Sequence, residues 1–138
     1  MKILLAFILV VSATSCMAQI PEISQAQQKI DCTVVTTSPQ LDACIRKKML
    51  QSNARLMKEM SKLEKRVRQT YTADPKLGNK LIDKVRRTQK AWVNYRRLNC
   101  SVEAFQIEEG TAAYNTTVNN CIVRMNAIRI KALEKLPN

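Results

Sequence analysis

Three apolar stripes at alternating three- and four-residue spacing, in a chain of 138 residues with two glycines and four prolines, constrain this sequence most. A β fold needs turn residues every 8–12 positions or so, and they are missing. The period is that of amphipathic helices. The first stripe runs Ile45, Met49, Leu56, Met60, Leu63, Val67. Asn53 fills its one gap, so it falls on the core side and needs a partner there. Ser38 is expected as the N-cap, with Pro39 at the first helical position, where its missing N–H costs nothing. Asp74 and Pro75 repeat that start signal. The second stripe is Leu81, Val85, Thr88, Trp92, Tyr95, Val102, and Gly110 marks the stop. Such a helix has about 35 residues and is roughly 50 Å long, and Gly78 weakens its first turn. After a polar loop at 111–116, the third stripe is Val118, Cys121/Ile122, Met125, Ile128/Arg129, Ala132/Leu133, Leu136, closed by Pro137. The expected fold is all-α, an elongated antiparallel bundle of about three helices over residues 38–138. Residues 19–37 read as an irregular N-terminal arm, with one short helix near 23–30.

Residues 1–18 read as a signal peptide. Lys2 supplies the positive start, residues 3–11 are an unbroken apolar run, and a small-residue stretch ends Cys16-Met17-Ala18. The run is too short to span a bilayer, which takes about 20 residues. A periplasmic or secreted protein is expected. The alternative is a lipoprotein anchored through Cys16, because Ala13-Thr14-Ser15-Cys16 loosely resembles a lipidation site; attachment to a membrane is expected only by that route. Four further cysteines, Cys32, Cys44, Cys100 and Cys121, make an even set, as a disulfide framework in an exported chain requires. Cys100 and Cys121 lie ten before and eleven after Gly110, so they face each other in a hairpin turning there. Cys32 and Cys44 flank the start of the first helix. The expected pairs are therefore Cys32–Cys44 and Cys100–Cys121. Metal binding is not expected: no Cys-x-x-Cys occurs and the chain has no histidine.

The absence of histidine also removes the commonest general base. No nucleophile elbow or phosphate-cradling glycine loop is present, so neither an enzyme nor a cofactor is expected. The charge balance is strongly basic, with 23 Lys and Arg against 11 Asp and Glu. Loss of residues 1–18 removes only Lys2 from this set. Between Lys76 and Arg97 stand eight basic residues and one acid, Asp83. Lys76, Lys80, Lys84 and Arg87 share one helical face, a stripe suited to anions. Without interleaved exposed aromatics for base stacking, and on an exported chain, anionic envelope polymers such as lipopolysaccharide or wall polymers are expected before nucleic acid.

One block is more specific. In Val85-Arg86-Arg87-Thr88-Gln89-Lys90-Ala91-Trp92-Val93-Asn94-Tyr95-Arg96, followed by Cys100, Trp92 and Tyr95 are expected in the core. Gln89 and Arg96 lie a turn to either side. The block resembles the signature of the LprI-like lysozyme inhibitors, bacterial envelope proteins. Asp31-Cys32 with Cys44 resembles their first cysteine pair, and Cys121 with Met125, Arg129 and Leu133 their closing motif. The resemblance covers about residues 31–136. It implies an all-helical, non-catalytic envelope protein whose partner is a lysozyme or related wall hydrolase. It marks Gln89, Trp92, Tyr95, Arg96 and Arg129 as family positions. The other reading of the residues is a basic module for anionic envelope polymers, or a structural partner in the envelope.

Overall fold

The computed structural model describes residues 31–137. The signal segment, Cys16 and the short helix expected at 23–30 lie outside the described residues. Three helices follow one another: α1 (Ser38–Thr70), α2 (Pro75–Glu103) and α3 (Ala112–Glu134). No helix among the described residues is long and apolar enough to cross a membrane.

Each start has a local cause. The cap of α1 is Thr37, one residue before the expected Ser38: Thr37 is extended and its hydroxyl accepts from the Gln40 N–H. Gln40 then binds the preceding coil. Its side-chain amide donates to the Asp31 and Val34 carbonyls at 3.1 and 2.8 Å, and its oxygen accepts from Thr36 N–H at 3.0 Å. That triple use favours Thr37 at the junction. Asp74 caps α2 as expected, accepting from Leu77 N–H at 3.0 Å. Thr111 caps α3, so the third helix begins at Ala112 rather than after a loop reaching 116. The second helix stops at Glu103, seven residues short of Gly110. Its last turn tightens through N–H bonds to carbonyls three residues back, at Ala104, Phe105 and Ile107, and Gly110 reverses the chain at φ 83°. A side chain there would strain this left-handed conformation.

The hydrogen bonds give the packing. Thr116 meets Asp42, Asn126 meets Ser52, and Arg66 meets the Leu133 and Leu136 carbonyls, so α1 and α3 run parallel. Helix α2 runs antiparallel to both: Arg86 meets Glu64, and Gln89 meets Arg129. The bundle has three zones. At one end Leu56, Leu63, Val67, Ile82, Val85 and Leu133 form the apolar core. Gly78 lets the first turn of α2 close on Tyr71, because a Cβ there would stand 2.9 Å from the Tyr71 Cβ. At the other end sit both disulfides, Cys32–Cys44 and Cys100–Cys121, with Cα atoms 5.7 and 5.5 Å apart. Between them lies a polar middle.

Candidate functional site

The polar middle gathers residues from all three helices. Arg96 on α2 donates to Asn53 of α1 at 3.0 Å and to Asn126 of α3. Asn126 is fully buried and donates to Ser52 Oγ at 2.8 Å and Asn53 Oδ1 at 2.9 Å. One helical turn away, Arg129 donates to Gln89 Oε1 at 3.0 Å. Both guanidiniums stack on Trp92, with Cζ atoms 5.2 and 5.7 Å from the ring centroid. A partly buried contact of this kind contributes about 1 kcal/mol. Burial holds both arginines below the usual arginine value, yet an arginine stays charged in a protein. Among the described residues no carboxylate pairs with either; amide oxygens and the indole face do the solvating. Arg96 Nε is buried with no hydrogen-bond partner.

Four of the five family positions, Gln89, Trp92, Arg96 and Arg129, thus meet in one cluster, and Asn53 has the partner its place in the stripe demanded. Tyr95 does not join. It is exposed, and its hydroxyl donates only to Asn99 on its own helix. The inward line of α2 is Leu81/Ile82, Val85, Gln89, Trp92, Arg96, Asn99/Cys100. The expected stripe therefore lies a partial turn away in its C-terminal half, and Thr88 and Val102 face solvent. The cause is the cluster itself: Arg96 and Gln89 find partners only if they point inward. On α3, Ile128 and Ala132 are likewise exposed while Asn126 is inside. The missed residues are Asn126 and Ser52. Asn126 carried a signal, since it lies four residues after Ile122 and three before Arg129, the same kind of gap that Asn53 fills.

A second buried polar group lies nearer the apolar core. The Glu59 carboxylate is buried and pairs with Arg66 at 2.8 Å and Lys62 at 3.3 Å. Arg66 also donates to the Leu133 and Leu136 carbonyls at 2.8 and 3.2 Å, where a cation complements the C-terminus of α3. Burial by itself pushes the Glu59 carboxyl up, but the bonds from Arg66 and Lys62 outweigh it and hold the group below its ordinary value.

Two grooves flank the cluster. One, of about 510 Å³, runs between α1 and α2 past Leu56, Met57, Met60, Val93 and Arg96. The other, of about 500 Å³, runs between α1 and α3 and is lined by Val123, Ala127 and Ile130 and by four cations, Arg55, Lys58, Lys62 and Lys131, with Glu59 and Glu134 beside them. The basic stripe is where the sequence put it: Lys76, Lys80, Lys84 and Arg87 are all exposed on α2. Among the described residues no three His, Cys, Asp or Glu side chains gather in a metal-holding group.

Comparison with known proteins gives two findings. A family model described as lysozyme inhibitor LprI matches residues 32–133. The crystal structure of a DUF1311 family protein from Pseudomonas putida KT2440 is similar, with a TM-score of 0.66 and 24% identity over 72% of this chain and 93% of that one. At that identity the likeness shows a shared fold. No curated protein matches the chain.

Proposed function

This chain belongs to the lysozyme inhibitor LprI family, and from that membership we propose that it is an exported, non-catalytic protein that binds and inhibits a lysozyme or related cell-wall hydrolase. The family match over residues 32–133 carries the reading. Two disulfides support it, because such bonds persist in oxidising compartments outside the cytoplasm. Periplasmic or secreted placement follows from the leader at residues 1–18, with anchoring through Cys16 as the alternative.

The family motif contributes here as scaffold. Gln89, Trp92, Arg96 and Arg129 contact one another inside the bundle, so recognition falls to the surface. A glycosidase cleft carries paired carboxylates. The α1–α3 groove, where Arg55, Lys58, Lys62 and Lys131 outnumber Glu59 and Glu134, has the complementary sign. An acidic hydrolase suits the strongly basic balance best, since like-charged partners associate slowly.

The test is inhibition of a panel of basic and acidic wall hydrolases by the oxidised protein, at low and physiological salt. Dose-dependent inhibition that survives physiological salt and weakens at least tenfold in Arg55→Glu/Lys58→Glu is expected. No inhibition of any hydrolase at large molar excess overturns the reading. Full inhibition by the double variant removes the groove from it.

A further inference from the structure

Helix α2 turns one face directly away from the core, and that face has two halves. Lys76, Lys80, Lys84 and Arg87 occupy the first, exposed and in no ion pair among the described residues. Tyr95, Leu98 and Val102 continue the line, and Phe105 stands in the tightened turn just past its end, with relative exposures of 57, 48, 72 and 85%. At 3.6 residues per turn, the residues of both sets that lie on α2 fall within about 100° of arc. The part of the apolar half on the helix, Tyr95 to Val102, runs about 10 Å along the axis. Single exposed apolar residues are ordinary, but a line of four, two of them aromatic, marks a contact surface.

The sequence of charges narrows the occupant. Helix α2 has two acids, Asp83 and Glu103, and Glu103 is held by Arg124 of α3. On one flank Lys90 stands exposed just before the apolar half and Arg97 within it, where their long side chains can extend toward anions. The occupant must therefore offer negative charge and an apolar phase beside it. A soluble polyanion offers only the first and would leave Tyr95, Leu98, Val102 and Phe105 in water. A bilayer with acidic headgroups offers both: phosphates for the lysines, and the headgroup–acyl boundary for the apolar line. A helix of 29 residues is long enough to lie along a plane, at about 1.5 Å per residue. We propose that the outer face of α2 docks this protein peripherally on an anionic phospholipid bilayer. This docking is independent of hydrolase binding and of any lipid on Cys16.

The test uses the oxidised chain from Gln19 to Asn138, which contains the whole described core and both disulfides, so that the apolar leader cannot bind lipid. Co-sedimentation is measured with vesicles of phosphatidylcholine alone and with about one-third phosphatidylglycerol. Two surface variants are compared, Lys76→Glu/Lys80→Glu/Lys84→Glu and Leu98→Ser/Val102→Ser/Phe105→Ser, each first shown by circular dichroism to keep its helix content. Binding to the anionic vesicles only, weakened at least about tenfold by the charge variant and severalfold by the apolar variant, is the expected result. Binding that the charge variant abolishes but the apolar variant leaves intact means a polyanion site and overturns the proposal. Absence of vesicle binding also overturns it and assigns the face to a protein partner. Inhibition assays on the same variants are read separately, so failure of one proposal leaves the other standing.

Discussion

Replacing Asn126 by alanine tests whether the polar middle holds the three helices together. Asn126 is fully buried. Its amide donates to Ser52 and Asn53, and its oxygen accepts from Arg96. Neutral hydrogen bonds contribute about 1 kcal/mol each and one to a charged group about 2, so the loss approaches 4 kcal/mol. Two features reduce it: Arg96 keeps Asn53 at 3.0 Å, and Ser52 keeps the Met49 carbonyl at 2.8 Å. The expected cost is about 3 kcal/mol, or a fall in Tm of roughly 12–20 °C for a domain of this size. Urea and thermal unfolding of the oxidised protein, followed by helical circular dichroism, measure it. A second variant sharpens the reasoning. Asn126→Leu combined with Arg96→Met removes both partners together, so it should cost less than the two single changes added, by at least about 1 kcal/mol. A cost below about 1 kcal/mol for Asn126→Ala, or strict additivity in the double variant, refutes the network as a source of stability.

Three further outcomes are expected. Gly78→Ala gains about 1 kcal/mol of helix propensity, but its Cβ would stand 2.9 Å from that of Tyr71, so the net effect in urea unfolding is a loss of about 1 kcal/mol; stabilisation would mean that the two helices do not approach this closely. Glu59 has its folded pKa held below the ordinary value of 4.5, so its contribution is present above about pH 4.5 and is lost as pH falls through the lower folded value. Stability measured from pH 7 downward should therefore decline in that acid range, and Glu59→Gln should be less stable at pH 7 with a shallower acid decline; an unchanged acid limb would exclude this carboxylate as a contributor. Replacing Cys100 and Cys121 together by serine opens a loop spanning 21 residues and should lower stability by about 3 kcal/mol, read by denaturant midpoint against the oxidised wild-type protein; with both proteins reduced the difference should disappear.

The helices, their approximate starts and both disulfides were legible in the chain, because each depends on short-range pattern. Asp74-Pro75 caps a helix wherever it stands. The disulfide pairs follow from one turn and two helix directions, and Asn53 announced itself as a polar residue in an apolar line. The face that α2 turns inward was not legible. A stripe of apolar letters placed Tyr95 and Val102 in the core, whereas the protein buries Gln89, Arg96 and Asn99 to a greater degree and leaves those two in solvent. A long polar side chain belongs inside only when partners wait for it, and those partners are remote in sequence: Asn53 lies 43 residues from Arg96, Asn126 lies 30, and Arg129 lies 40 from Gln89. The same holds for Glu59 and Arg66, whose placement depends on carbonyls at the end of α3, 67 and 70 residues on from Arg66. Local periodicity determined that this chain would be three stapled helices; the satisfaction of buried polar groups across all three, a property of tertiary structure alone, decided how α2 is rotated and which of its residues face the outside.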